Sequence, residues 1–183
     1  MGALVRAGKD TQPSVEEAEQ RQYLTFMLGG ETFAIDILGV KEIIEYGKLT
    51  TVPLMPGFIR GVINLRGAVV PVVDLSARFG RGSSNVTRRT CIVIIEIESD
   101  GAAQDVGIVV DAVNEVLEIP SGEIEPAPAF GAKIRTDFIS GMGKVAGQFV
   151  IILDVNHVLS IEEMAVLAQV EQGEAPGSPA GTQ

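Results

Sequence analysis

Cysteine, histidine and tryptophan are nearly absent from this sequence: its 183 residues include one cysteine, one histidine and no tryptophan. A single cysteine cannot close an internal disulfide, and one cysteine with one histidine falls short of the ligand set of a structural zinc site. Long apolar runs are also missing, since none approaches the ~20 residues that a membrane span needs. Residues 1–19 lack the continuous apolar core of a signal peptide. We therefore expect a cytoplasmic protein with no metal, no cofactor and no membrane insertion.

Basic residues are outnumbered, with 14 Lys and Arg against 24 Asp and Glu and a formal net charge of −10. This balance disfavours nucleic acid and anionic membrane surfaces as partners, because both would repel an acidic protein. The charge does not identify a partner by itself.

Residues that could carry catalysis are few. Cys91 lies in an apolar, strand-like run, which is typical of a small buried hydrophobe, and His157 has no neighbouring nucleophile in sequence. No glycine-rich phosphate loop precedes a lysine. A small enzyme that brings Cys91 and His157 together in space stays open as an alternative of a different class. The sequence otherwise predicts a binding protein without catalytic residues.

Residues 58–75 form the most informative stretch, and they read as a strand, a tight turn and a second strand. The run Asn64-Leu65-Arg66-Gly67 marks the turn, where Gly67 supplies a position free of side-chain clash. Arg66 interrupts an apolar pattern at that turn. A guanidinium there can reach a carboxylate with two parallel hydrogen bonds.

The same pattern returns later in the chain, which indicates one β unit used twice. At an offset of 80 residues Phe138-Ile139-Ser140-Gly141 repeats Phe58-Ile59-Arg60-Gly61, and Asp154 matches Asp74. The recurrence of the two aspartates predicts a structural role at strand ends. Gly147 also matches Gly67 at this offset. At an offset of 73 residues Val113, Glu115 and Val116 match Val40, Glu42 and Ile43, and the entry strand Cys91–Glu96 resembles Tyr23–Leu28.

The domain organisation follows from the repeat and from composition. Residues 1–20 are polar and are expected to be a flexible lead-in, and residues 173–183 are rich in Gly, Pro and Ser and are expected to be a flexible tail. Residues 21–172 should form the folded domain, with the second copy beginning near residue 88 after a Gly/Ser-rich loop. A long helix is predicted over residues 156–172 with Ser160 as its N-cap.

These motifs together resemble the CheW family of bacterial chemotaxis coupling proteins. The resemblance rests on Asn64-Leu65-Arg66-Gly67 followed by Pro71-Val72-Val73-Asp74-Leu75, on the preceding Phe58-Ile59-Arg60-Gly61, and on Ile35-Asp36-Ile37-Leu38-Gly39-Val40. It covers roughly residues 21–170. It implies an all-β (mainly β) fold of two pseudo-symmetric, intertwined SH3-like five-stranded β-barrels with a C-terminal helix.

The resemblance also implies a function and partners. The chain would be a non-catalytic scaffold or adaptor that couples methyl-accepting chemoreceptors to the histidine kinase CheA. An adaptor of the same kind that acts in pilus motility or gene regulation is the alternative within this class. A groove between the barrels would bind the cytoplasmic tip of the receptor. The residues that fall at receptor-groove positions are Val40, Glu42, Gly61, Arg66 and Val116, with Glu42 as the carboxylate partner of Arg66.

Two contacts with CheA are implied as well. Ile35, Ile37 and Leu38, at an apolar end of the first barrel, would bind the regulatory domain of CheA. Phe130 in the second barrel would make an array-building contact. Glu125 departs from the family pattern here, because some relatives carry arginine at this position.

Overall fold

The computed structural model describes residues 20–99, 101–127 and 136–160. Within these ranges eleven strands form two sheets, so the predicted fold class of a mainly β protein built from two similar units is confirmed. Sheet I has the strand order β8-β1-β2-β11-β10-β9 and sheet II the order β3-β6-β7-β5-β4. The strands of sheet I are β1 (Gln20–Leu28), β2 (Glu31–Asp36), β8 (Ala112–Pro120), β9 (Ile124–Glu125), β10 (Ile139–Val145) and β11 (Gln148–Leu153). Those of sheet II are β3 (Val40–Glu45), β4 (Ile59–Leu65), β5 (Ala68–Asp74), β6 (Cys91–Ser99) and β7 (Ala102–Val110).

The helices of the described residues are all short. They are α1 (Leu75–Arg78), α2 (Val155–Val158) and three 3-10 turns at Ile37–Gly39, Ser121–Glu123 and Thr136–Phe138. The helix predicted over residues 156–172 differs in its described part, because α2 ends at Val158 and Ser160 follows it outside any helix. Residues 161–172 lie outside the described residues.

The two sequence copies exchange their first hairpins. β1 and β2 come from the first copy, yet they pair with β8 and β11 of the second; β6 and β7 come from the second copy and pair with β3 and β5 of the first. All strand pairs are antiparallel except β2 with β11 and β5 with β7, which occupy equivalent places in the two sheets. Each sheet therefore needs both copies.

Alternating side chains of the central strands fill three apolar clusters. In β6, Ile92 and Ile94 point into a cluster within sheet II, whereas Val93, Ile95 and Ile97 point into the large cluster shared by both sheets. Strands buried on both faces read as continuous apolar runs, which is what the sequence shows here. The shared cluster is what holds the two sheets together.

The register of one predicted match was wrong by one residue. The shared cluster contains Leu24, Phe26 and Leu28 of β1 where it contains Val93, Ile95 and Ile97 of β6. Strand β1 therefore matches β6 at an offset of 69 residues, whereas the predicted match used an offset of 68. A one-residue shift exchanges the two faces of a strand. Because both faces are apolar here, the sequence did not reveal the error.

Arg78 contacts equivalent parts of both copies. Its guanidinium carbon lies 5.3 Å from the ring centre of Phe58 and 4.8 Å from that of Phe138, and its Nε donates a hydrogen bond to the carbonyl of Val158 at 2.9 Å. The two phenylalanines directly precede the equivalent strands β4 and β10. Cation–π contacts of this kind stabilise the junction of the copies.

Candidate functional site

Arg66 lies in a tight turn that projects its side chain from the end of a hairpin. The turn joins β4 to β5, and its two central residues, Arg66 and Gly67, have φ angles of 53° and 88°. Two positive φ angles are typical of the turn whose twist matches that of antiparallel strands. The side-chain oxygen of Asn64 accepts a hydrogen bond from the Gly67 amide at 2.8 Å, which stabilises the turn.

Arg66 and Glu42 form a two-pronged ion pair, as the resemblance implied. Arg66 Nη1 lies 2.6 Å from Glu42 Oε2, and Nη2 lies 2.9 Å from Oε1. The hydrogen bond from the guanidinium lowers the pKa of Glu42, and the bond to the carboxylate raises the pKa of Arg66. The Arg66 side chain is 74% exposed. Because water screens such a pair, its effect lies in the orientation of the two groups more than in stability.

The other residues expected in the receptor groove differ in exposure. Val40 begins β3, two residues before Glu42, and packs partly against the shared cluster. Val116 lies on β8 in sheet I and is 46% exposed. Gly61 is buried in β4 at a bulge, where a Cβ atom would overlap the carbonyl oxygen of Thr50. Gly61 therefore supports the backbone beneath the surface and offers no side chain to a partner.

The residues expected to contact CheA surround the 3-10 turn after β2. The carboxylate of Asp36 accepts a hydrogen bond from the Leu38 amide at 2.9 Å, which fixes the start of this turn. Leu38 is 88% exposed, Ile37 packs partly against the shared cluster, and Ile35 is 1% exposed within it. Ile35 was expected at the contact, but in this structure its side chain is covered by the core. Leu38 is the side chain that this turn presents outward.

Part of the array-building contact predicted for the second barrel lies outside the described residues. Phe130 lies outside the described residues. Glu125 ends β9, is exposed, and pairs with Met142 of β10 in sheet I.

A groove of about 430 Å³ lies between the two sheets, away from the Arg66 turn. The β1–β2 turn, α1, residues 83–89 and the start of β8 line it, and Asp111 accepts a hydrogen bond there from the Gly29 amide at 2.8 Å. Its lining contains none of the five residues expected in the receptor groove. Glu42 and Arg66 are instead joined at the end of the β4–β5 hairpin, whereas Val40, Gly61 and Val116 lie on strands β3, β4 and β8.

A buried charge network, which the sequence pattern did not predict, lies at the end of β5. Asp74 is 0% exposed, and its carboxylate accepts hydrogen bonds from Arg60 Nε at 3.0 Å and from the Ser84 amide and hydroxyl, each at 2.8 Å. Arg60 also donates to the Tyr46 hydroxyl and the Ser84 carbonyl. The signal was present, because Arg60 interrupts an apolar strand as Arg66 does. The structural role predicted for Asp74 agrees with these contacts.

The structure gives Cys91 and His157 different surroundings. Burial and the nearby Glu45 raise the pKa of the Cys91 thiol, which lowers the fraction of reactive thiolate. The His157 ring contacts Asp154 of its own helix turn, with 2.9 Å between Nδ1 and Oδ2. In the described ranges no group of three potential metal-ligating side chains occurs. None of the helices described is both long and apolar enough to span a membrane.

Several known proteins are similar to this chain over most of its length. A model of the CheW-like domain family matches residues 22–163. The chemotaxis protein CheW of Klebsiella aerogenes is 36% identical over 154 residues, which cover 84% of this chain and 90% of that protein. CheW of Bacillus subtilis is 38% identical over 140 residues, or 76% and 86% of the two chains. The crystal structure of the scaffolding protein TtCheW from Thermoanaerobacter tengcongensis is similar with a TM-score of 0.69 and 37% identity, covering 76% and 87%.

Proposed function

The chain belongs to the CheW-like domain family, and from this we propose that it is a non-catalytic adaptor in chemotaxis that couples the cytoplasmic tips of methyl-accepting chemoreceptors to the histidine kinase CheA. An adaptor of this kind changes kinase output by placing two proteins side by side. It works in the cytoplasm, where both partners present their binding surfaces. Relatives that are named chemotaxis proteins, together with a related scaffolding protein, support this role.

The observation that carries the proposal is the exposed Glu42–Arg66 pair. The two hydrogen bonds hold the guanidinium at the end of a rigid hairpin, with one face open to a partner. Val40 lies on the same strand as Glu42. A side chain that is already oriented loses little conformational freedom when a receptor helix binds.

The experiment that tests the whole proposal is a pull-down. The purified chain is mixed with a receptor cytoplasmic fragment, with the CheA regulatory domain, and with both. An adaptor binds each one and also recovers both in a single complex. Binding to neither protein would contradict the proposal.

Arg66→Ala is expected to weaken binding to the receptor fragment about tenfold, because charge-assisted hydrogen bonds are lost and Glu42 is left without its partner. Arg66→Lys should rescue only part of this loss, since an ammonium cannot make the two parallel bonds of a guanidinium. Isothermal titration calorimetry measures both affinities. The Tm of each variant should stay close to that of the parent, because the pair is exposed. Receptor affinities equal to the parent in both variants would contradict a role for this pair.

Leu38→Asp is expected to weaken binding to the CheA regulatory domain about tenfold or more, because a charge would enter an apolar contact. Leu38 is the test position because it is 88% exposed, whereas a charge at Ile37 would also disturb the core. Val86→Asp is the matched control, since Val86 is a half-exposed valine in the loop between the copies. Receptor binding should persist in Leu38→Asp. Equal losses of CheA binding in both variants would contradict a specific contact at Leu38.

A further inference from the structure

Glu115 occupies in the second copy the position that Glu42 occupies in the first. In sheet II the four residues from Val40 to Ile43 lie opposite only three residues of β6, with Val40 paired to Ile95 and Ile43 to Val93. In sheet I the four residues from Val113 to Val116 lie opposite three residues of β1, with Val113 paired to Phe26 and Val116 to Leu24. Glu42 and Glu115 are each the third residue of such a bulge.

The hairpin that carries Arg66 also recurs, but without its arginine. The β10–β11 turn has Ala146 and Gly147 at its centre, with φ angles of 51° and 79°, against 53° and 88° in the β4–β5 turn. The flanking pairs also match, since Val145 pairs with Gln148 as Leu65 pairs with Ala68. Ala146 thus has the backbone conformation of Arg66 and lacks a guanidinium.

The backbone of Glu115 is held firmly while its carboxylate stays exposed. The buried Thr25 hydroxyl donates a hydrogen bond to the Glu115 carbonyl at 2.7 Å and accepts one from the Glu115 amide at 3.2 Å. Among the described residues no Lys, Arg or His nitrogen lies within ion-pair distance of the Glu115 carboxylate. Lys144, a cation on the same hairpin as Ala146, lies instead over the Phe149 ring, 6.0 Å from its centre.

We infer that Glu115 binds an arginine supplied by the receptor tip, in the place that an arginine at position 146 would fill. The first copy shows the chemistry that this carboxylate position takes, which is a guanidinium bound through two hydrogen bonds. Val116, adjacent to Glu115, is among the residues of the proposed receptor surface and is 46% exposed. A guanidinium matches a carboxylate with two parallel hydrogen bonds, which an ammonium cannot make, so the position favours arginine over lysine. This inference rests on the proposed function and adds to it the chemistry of one receptor contact.

Three variants test the inference against a purified receptor cytoplasmic fragment. Glu115→Gln should weaken binding about tenfold, because the bond to the arginine loses its charge. Ala146→Arg should weaken binding by a similar factor, since an internal guanidinium would pair with Glu115 and exclude that of the receptor. Adding Ala146→Arg to Glu115→Gln should cause little further loss. Glu118→Gln is the matched control, because Glu118 is an exposed glutamate on the same strand and should bind the receptor like the parent.

The outcomes separate this inference from the proposed function. If the parent chain fails to bind the receptor fragment, both are overturned. If the parent binds and Glu115→Gln or Ala146→Arg binds equally well, only the arginine contact is overturned. The same holds if Glu118→Gln loses as much affinity as Glu115→Gln, which would indicate general attraction between charges. An effect of Glu115→Gln on self-association in analytical ultracentrifugation, with receptor affinity unchanged, would assign the carboxylate to a second copy of the chain and overturn the receptor contact.

Discussion

Gly61→Ala is expected to lower the free energy of unfolding by about 3–4 kcal/mol, the sum of backbone strain and steric overlap. Gly61 has a φ of 151°, which side chains rarely allow, and an added Cβ would overlap the carbonyl oxygen of Thr50. That carbonyl accepts a hydrogen bond from the Val62 amide at 2.9 Å, so it cannot move away without loss of the bond. Urea denaturation followed by circular dichroism measures the change.

Two other glycines are matched controls for Gly61. Gly141 is the equivalent residue of the second copy and lacks the positive φ, while an added Cβ there would lie 2.6 Å from Cγ2 of Ile124 and 3.2 Å from the carbonyl oxygen of Glu125, so that steric overlap acts without backbone strain. Gly67 has a φ of 88° with open space around it. Each should lose about 1–2 kcal/mol on substitution by alanine. A loss at Gly61 no larger than at Gly141 would contradict the overlap with Thr50.

A change at Gly61 should affect receptor binding through the backbone that this residue supports. The resemblance places Gly61 on the receptor surface, yet the residue is buried in β4. A substitution there displaces residues 49–50 and the strand that leads to the Arg66 turn. Loss of receptor binding in a Gly61 variant should therefore accompany loss of stability, whereas in Arg66→Ala it should not.

The local elements could be predicted from sequence, because their signals lie within a few residues of one another. The β4–β5 hairpin has apolar alternation around Arg66-Gly67, and its second copy has the same pattern around Ala146-Gly147. The exchange of hairpins could not be predicted in this way. β2 pairs with β11 across more than half of the chain, and strands that are apolar on both faces do not indicate which neighbour they take.

The candidate site could likewise be predicted only where its signal is local in the sequence. Arg66 was noticed because a charge interrupts an apolar pattern, but its pairing with Glu42 came from the family resemblance, since the two residues lie on different strands of sheet II. Arg60 interrupts its strand in a similar way, but nothing near it in sequence indicates its partners. Its partners, Asp74 and Ser84, reach it only after β5 and the following loop fold back. Contacts of this kind depend on tertiary structure, which the pattern of a single strand does not contain.

Asp74→Asn is expected to lower the free energy of unfolding by about 3–5 kcal/mol at neutral pH, because it breaks a buried pair and leaves the Arg60 charge without compensation. Burial alone would raise the pKa of Asp74, but hydrogen bonds from Ser84, Arg60 and Ala77 outweigh it and hold the pKa below its usual value. The charged carboxylate thus stabilises the fold above its pKa in the unfolded chain, ~4. This contribution is lost as pH falls through the lower folded-state pKa. The stability difference between parent and Asp74→Asn should therefore narrow as the solution is acidified.

Asp154→Asn is the matched control, because Asp154 directly follows β11 and caps the short helix α2, as Asp74 at the end of β5 caps α1. Its side chain is 35% exposed and contacts His157 at the helix start, without a buried arginine. The expected loss is below about 1 kcal/mol, because asparagine caps a helix about as well as aspartate and only the exposed contact with the His157 ring is lost. Chemical denaturation of both variants across the acidic range measures the two contributions.

A stability difference between Asp74→Asn and the parent that does not narrow in acid would show that charge does not account for the effect. If instead it narrows, the charge of Asp74 stabilises the fold through its contacts with Arg60 and Ser84, and the second copy, which has Ser140 in the place of Arg60, lacks the arginine of such a pair.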